Sequence, residues 1–335
     1  MIYIRTDMND IIATGHVMRC LAIAEAARAQ GEDIMFLLAD PQACSLLDKH
    51  GFPYTILHTC WDDMDSELPI IGKVIEEQRI EKILVDSYQV TPNYLNALTQ
   101  MVKTLYIDDL NAFEYPVNAL VCYANYGKTF YQNRNYQRTN LFLGTQYVPL
   151  RRNFERCGKK QINPSAENLI LLSGGTDKYN MLECLLESIE IKKYKDIQVI
   201  CGVYYPKYDY ICGKYSGHQN IHVYKAVQDI EKHMEHADLA VAAGGTTLYE
   251  LCALGVPTIA YAIADNQLDN VKTFHKDGII DYAGDVREEN VVGKINSLLN
   301  LYYGNCKLRQ QKSEKMQGLV DGKGAWRIAE ILSQM

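Results

Sequence analysis

Short apolar runs alternate with helix-patterned segments from the first residues onward, and this alternation decides the class of fold. Strand-like runs at residues 2–5, 33–38, 54–57, 82–86 and 104–107 are separated by helical patterns at 17–30, 41–50, 65–78 and 92–102. Strands joined through helices need right-handed crossovers, which build a parallel sheet covered on both faces. The pattern weakens through a Tyr- and Asn-rich region at 123–140 and a polar stretch at 155–167. It then restarts with strands predicted at 169–172, 198–201, 222–224, 239–242 and 257–262 and helices at 179–192 and 230–235. The chain therefore reads as α/β, with two doubly wound parallel-sheet domains, 1–150 and 167–335, facing across a cleft. The linker is expected at 151–166, where Cys157-Gly158-Lys159-Lys160 and Asn163-Pro164-Ser165 can bury little. A last helix near 314–332 is free to pack on either half, including back on the N-terminal domain.

A chain of 335 residues can hold two such cores. Its net charge of −7 argues against a general nucleic-acid or anionic-membrane binder, since either needs a basic surface. Apolar runs stay below membrane-spanning length and the first residues enter a strand directly, so a cytoplasmic protein is expected. The ten cysteines form no C-x-x-C pair and read as small buried thiols in a reducing compartment.

Three βα turns carry candidate chemistry. The first holds Gly15, His16 and Arg19: glycine permits close approach, and an imidazole at a helix start can take a proton from water. Alternatively, His16 is an ordinary helix-start residue and Arg19 a surface or salt-bridging one. The second, Ser173-Gly174-Gly175-Thr176-Asp177, offers backbone N–H groups to an anion or, alternatively, a helix cap through Thr176 or Asp177. The third, Gly244-Gly245-Thr246-Thr247, precedes Glu250. That carboxylate either completes a Thr247-x-x-Glu250 capping box or accepts the hydroxyls of a ribose while the turn holds a diphosphate. Asn266 and Gln267 open the next helix as a cap or a ligand-facing loop. Asp86, Tyr88, Asp108 and Asp109 follow apolar strands. Such carboxylates can orient a base or bind sugar hydroxyls, and Asp is also a common turn residue. Neighbouring Asp108 and Asp109 point apart on an extended strand, so no metal is expected there, nor at the histidine pairs His218/His222 and His233/His236. P-loop, dinucleotide, zincin and nucleophile-elbow motifs are missing from the sequence.

Taken in order, Thr14-Gly15-His16-Val17-Met18-Arg19-Cys20-Leu21, Val85-Asp86-Ser87-Tyr88, Ile107-Asp108-Asp109-Leu110, Leu143-Gly144 through Leu150-Arg151, Ser173-Gly174-Gly175-Thr176-Asp177, Ala243-Gly244-Gly245-Thr246-Thr247-Leu248-Tyr249-Glu250 and Ala264-Asp265-Asn266-Gln267 resemble the UDP-2,4-diacetamido-2,4,6-trideoxy-β-L-altropyranose hydrolases of pseudaminic acid biosynthesis. That family is related to spore-coat polysaccharide biosynthesis proteins and to the transferase that makes peptidoglycan lipid II. The resemblance implies a GT-B architecture, with UDP held by the C-terminal domain and the sugar meeting the N-terminal one. It implies His16 as general base for water, the Gly244 to Thr247 turn for the diphosphate, Glu250 for the ribose and Asn266 near the leaving group. Ser-Gly-Gly-Thr-Asp replaces an expected Gly-Gly-Ser-Asp, and Gly-Gly-Thr-Thr an expected Gly-Ser-Thr; both keep small residues and hydroxyls. The implied reaction is inverting hydrolysis of a UDP-sugar, with water as acceptor and no cofactor. The alternatives are a GT-B glycosyltransferase using a UDP-sugar donor and a non-catalytic nucleotide-sugar binding protein.

Overall fold

The computed structural model describes residues 1–132, 136–155, 158–288 and 290–335, which form two compact units: Met1–Arg152 with Gly322–Met335, and Asn153–Asp321. Cys157 of the expected linker lies outside the described residues. The described residues around it are fastened to the second unit, Asn153 Nδ2 donating to Glu231 (2.8 Å) and Asn163 Nδ2 to Asp238 (2.6 Å).

In the first unit seven strands form one sheet: β1 (Ile2–Thr6), β2 (Ile34–Leu38), β3 (Tyr54–Ile56), β4 (Lys82–Asp86), β5 (Lys103–Ile107), β6 (Ala119–Cys122) and β7 (Asn140–Leu143). Their order is β3-β2-β1-β4-β5-β6-β7 and every pairing is parallel. Every residue of β1 is buried, as expected of a central strand covered on both faces. Helices α1 (Gly15–Ala29), α2 (Cys44–His50), α3 (Met64–Gln78), α4 (Pro92–Met101) and the single turn α5 (Gly127–Phe130) make the crossovers. The two strands β6 and β7 flank the Tyr- and Asn-rich region where the sequence pattern weakens.

The second unit has β8 (Asn168–Leu172), β9 (Asp196–Cys201), β10 (Ile221–Lys225), β11 (Leu239–Ala243), β12 (Thr258–Ala262) and β13 (Asp281–Asp285) in the order β10-β9-β8-β11-β12-β13, again all parallel. Its helices are α6 (Met181–Ser188), α7 (Tyr208–Tyr215), α8 (Ile230–His236), α9 (Thr247–Leu254), α10 (Asp265–Lys276), α11 (Val291–Tyr303) and α12 (Cys306–Leu319). Where the sequence predicts one helix over 314–332, the chain breaks after Leu319 and resumes as α13 (Gly324–Gln334), because Gly322 turns it through a left-handed conformation (φ 76°). Helix α13 packs along α1 in the first unit, where Gln30 Nε2 donates to the Trp326 carbonyl (3.0 Å) and Arg327 to that of Gln146 (2.8 Å). That contact explains α1: it is apolar around most of its surface and is covered by the sheet on one side and α13 on the other.

Both sheets run outward in opposite directions from a central pair, β1/β4 in one and β8/β11 in the other. The carboxyl ends of such a pair diverge into a crevice, the position where open α/β sheets hold ligands. Among the described residues, no helix is long and apolar enough to cross a membrane.

Candidate functional site

At the first switch point, β1 leads into α1 and β4 ends at Asp86. His16 and Arg19 lie one turn apart on α1, both buried, and Asp86 is fully buried beneath them. Arg19 grips the carboxylate with two nitrogens, Nε to Oδ2 (2.5 Å) and Nη2 to Oδ1. His16 Nδ1 stands 2.8 Å from Oδ1, and the Cys20 thiol 3.5 Å from Oδ2. Burial pushes Asp86 up, but Arg19 and then His16 outweigh it and hold the carboxyl well below the usual carboxylate range. Asp86 is therefore an anion. Arg19 Nη2 also lies 2.7 Å from His16 Nδ1, so that nitrogen stands between a guanidinium N–H and the anionic carboxylate. We assign the Nδ1–H tautomer, donating to Asp86, because a bond to an ionised carboxylate is the stronger of the two. Nε2 is left with its lone pair and has no hydrogen-bond partner among the described residues.

Arg19 continues the cluster to Tyr123 at the end of β6, Nη1 to the hydroxyl at 3.0 Å. Tyr88 sets its ring edge-on to the imidazole, centroids 4.7 Å apart at 81°, and donates its hydroxyl to Asp109 (3.0 Å). A Cβ added at Gly15 meets nothing within 4 Å, so packing does not demand that glycine and the space above the helix start is open. The first unit thus brings Gly15, His16, Arg19, Asp86 and Tyr88 together. Arg19 and Asp86 form one buried ion pair, rather than a surface arginine and a turn residue. Tyr123 and Asp109 complete the cluster without having been assigned a definite role from sequence. Asp108, in contrast, is structural: it accepts from the Tyr115 hydroxyl (2.9 Å), from Tyr131 and from the backbone of Leu110 and Asn111.

At the second switch point, β8 leads into Ser173 to Asp177 and β11 into Gly244 to Thr247. Gly174, Gly175 and Thr176 are exposed, and their N–H groups have no acceptor among the described residues. Asp177 turns inward and accepts from the N–H groups of Met181 (2.8 Å) and Leu182 (3.0 Å), capping α6 from upstream; Asn180, not Thr176 or Asp177, is the residue at the helix boundary. A Cβ on Gly202 would lie 2.2 Å from the Gly175 carbonyl oxygen, so the β9–α7 turn closes against this one only with glycine there. On the other side the N–H groups of Thr246 and Thr247 also lack an acceptor among the described residues, and the helix dipole adds positive character there. The boundary residue is Thr246 with no side-chain capping bond, and Thr247 is the first helical residue. The Thr247 capping box is thus not formed. Glu250 sits one turn into α9, half-buried.

The glycines of this turn divide. A Cβ at Gly244 would meet Val271 Cγ1 at 2.3 Å, whereas at Gly245 it would find only Gln267 Nε2 at 3.9 Å. Gly244 is required by the packing of α10, and Gly245 stands open. Gln267 accepts the Ile263 N–H (3.0 Å) and bounds the turn, while Asn266 is exposed beside it. Asn270, to which sequence gave no role, accepts from the Tyr249 hydroxyl (2.6 Å) and donates to the Gly244 carbonyl (3.2 Å), tying α9, α10 and the turn. Among the described residues, no group of His, Cys, Asp and Glu side chains could hold a metal ion. His233 bonds Gln198 (2.7 Å), and His222 and His236 face Asp196.

The profile of the family described as Glycosyl transferases group 1 matches residues 154–317, nearly all of the second unit. The crystal structure of Acinetobacter baumannii MurG superposes with a TM-score of 0.71 at 13% identity, covering 100% of this chain and 99% of that one. The chain has the GT-B fold. Among curated proteins, this GT-B chain is similar to the spore coat polysaccharide biosynthesis protein SpsG of Bacillus subtilis, 23% identical over 59% of this chain and 59% of the relative. It is also similar to the pseudaminic acid cytidylyltransferase and UDP-2,4-diacetamido-2,4,6-trideoxy-beta-L-altropyranose hydrolase of Helicobacter pylori, 26% identical over 54% of this chain and 31% of the relative. The matched regions span less than two thirds of those relatives' lengths. These findings show the GT-B fold and a likeness of the second unit to group 1 glycosyl transferases. They favour the transferase alternative over the specific hydrolase family that the sequence resembles.

Proposed function

We propose that the chain is a GT-B enzyme that transfers a glycosyl group from a UDP-sugar donor, with His16 as the base that activates the acceptor. The observation that carries this reading is the buried His16–Asp86–Arg19 cluster at the first switch point: an imidazole bonded through Nδ1 to an ionised carboxylate offers Nε2 to an acceptor hydroxyl. The N–H groups of Gly174 to Thr176 and of Thr246 and Thr247 hold the diphosphate, Gly245 lets it approach, Glu250 takes the ribose, and Asn266 and Gln267 contact the donor near its leaving group. In the reaction the acceptor oxygen attacks the anomeric carbon as its proton passes to His16 Nε2. The bond from that carbon to UDP breaks, and its electron pair leaves on the diphosphate. UDP is a weak base, so stabilising its charge at backbone N–H groups matters more than protonating it. Attack opposite the leaving group inverts the anomeric centre. Every described cysteine is a free thiol, which suits a reducing cytoplasm.

A second reading has water in place of the acceptor hydroxyl. It is favoured by the similarity to the Helicobacter pylori protein, whose name includes a UDP-sugar hydrolase. The same catalytic groups serve it, so the acceptor alone separates the two. The test is release of UDP from UDP-N-acetylhexosamines and from the UDP-linked 2,4-diacetamido-trideoxy sugar in ¹⁸O-water, with and without added sugar acceptors. Release that depends on an acceptor supports the transferase; acceptor-independent release with ¹⁸O on the sugar C1 supports the hydrolase. UDP binding without any turnover refutes both, and full turnover by His16→Ala removes His16 as the base.

A further inference from the structure

Asp109 follows β5 beside the His16 cluster, and the steps above give it no task. Its Oδ2 accepts from the Tyr88 hydroxyl (3.0 Å), while its Oδ1 is shielded from solvent and has no hydrogen-bond partner among the described residues. Such an oxygen carries a desolvation penalty that packing alone does not explain. Tyr88 lies in the loop after β4, outside any helix or strand. Its ring is pinned at the hydroxyl end by Asp109 and stands edge-on to His16 at its body, with the Arg19 guanidinium 5.9 Å from its centroid. Burial pushes the Tyr88 hydroxyl up, so it stays protonated and is the donor to Asp109.

The imidazole needs this second constraint. The bond from Nδ1 to Asp86 restrains the ring at one atom, and small coupled rotations about Cα–Cβ and Cβ–Cγ that keep this bond still move Nε2. A ring held nearly perpendicular against it, centroids 4.7 Å apart, limits these rotations. We infer that Asp109 is a positioning residue: by anchoring the Tyr88 hydroxyl it holds the Tyr88 ring against His16 and fixes the direction of Nε2. This rests on the reading of His16 as the base.

The test combines kinetics with an observable independent of turnover. Asp109→Ala and Tyr88→Phe each lower kcat by about 100-fold, the scale of a displaced catalytic group, with KM unchanged. The double variant is no slower than either single one, because both cut the same link. Asp109→Asn restores kcat, since its side-chain oxygen still accepts from Tyr88. In ¹⁵N-histidine-labelled protein the His16 imidazole resonances, identified by their loss in His16→Gln, move in Asp109→Ala and Tyr88→Phe and return in Asp109→Asn. Unmoved His16 resonances in a folded Asp109→Ala variant, or losses that multiply in the double variant, overturn the inference. Should Asp109→Ala fail to fold, Tyr88→Phe, which keeps the ring and loses only the tether, decides through the same resonances. Full turnover by His16→Gln would instead refute His16 as the base, and the resonance shifts would still show whether Asp109 positions the ring.

Discussion

Replacing Asp86 by Asn separates the two services this carboxylate performs, holding the Arg19 charge and orienting His16. Asp86 is 0% exposed and Arg19 9%, so neither group can recover solvation when its partner changes. In Asp86→Asn the guanidinium faces a neutral amide, and breaking a buried pair from one side costs about 3–5 kcal/mol, a large share of the roughly 5–15 kcal/mol that holds a protein folded. Catalysis suffers separately: without an ionised acceptor the Nδ1–H tautomer loses its preference, and the general-base contribution at risk is about 100- to 10,000-fold in kcat. The double variant Arg19→Met/Asp86→Asn removes the stranded charge and regains most of the lost stability, because buried pairs exchanged as a whole are often near neutral. Its kcat stays low. Urea midpoints and UDP release from the donor, measured on the same preparations, check both halves. A stable Asp86→Asn protein, or a double variant that recovers full kcat, would refute the account of the cluster.

Other outcomes follow from single features. Since Asp86 ionises more readily in the folded chain than in the unfolded one, its contribution to stability is complete above the unfolded carboxylate value of about 3.9 and is lost as pH falls below it. The difference in urea midpoint between wild type and Asp86→Asn therefore shrinks on acidification through that range, and a gap that widens contradicts the sign. Gly244→Ala forces a methyl group against Val271 at 2.3 Å and lowers stability by about 1–3 kcal/mol. Gly245→Ala leaves the melting temperature near wild type and weakens UDP binding by calorimetry; equal effects on folding would remove the distinction between the two glycines. Ala13, just before α1, holds φ at 56°, which costs a residue with a Cβ about 1–2 kcal/mol. Ala13→Gly raises the urea midpoint once the greater freedom of its unfolded chain, about 0.4–1 kcal/mol, is subtracted.

What the sequence disclosed follows the range of the interactions involved. Central strands such as Ile2–Thr6 and Lys82–Asp86 are legible as apolar runs because both faces are covered. Strand Ala119–Cys122 lies in an apolar run, but no helix separates it from the preceding strand, so it falls outside the strand–helix alternation. Asn140–Leu143 has four residues and Asp281–Asp285 is acidic at both ends, so neither shows a run or an alternation long enough to register. Tyr123 went without a role because it follows Ala119–Cys122, the strand outside the strand–helix alternation. In the site, His16 is visible as a glycine-histidine helix start. Its bond to Asp86, 70 residues on, depends on β4 pairing with β1, which no local pattern encodes. Gly244 and Gly245 look alike in sequence and differ only because Val271 of α10 lies over one of them.

Glu250 shows how such geometry removes one of two readings that sequence leaves equal. A capping box needs the carboxylate three residues after the boundary residue, where it can reach back to that residue's N–H. With Thr246 at the boundary that place belongs to Tyr249, whose hydroxyl is engaged by Asn270, and Glu250 falls one residue further along α9. A step of one residue turns a helical side chain by about 100°, away from the position that reaches back to the boundary. The Thr247 capping box is thereby removed, and mutation of Glu250 to Gln tests the ribose contact proposed for it. Weaker binding of UDP with unchanged binding of inorganic pyrophosphate is the expected result; equal loss of both would assign Glu250 to holding the turn instead.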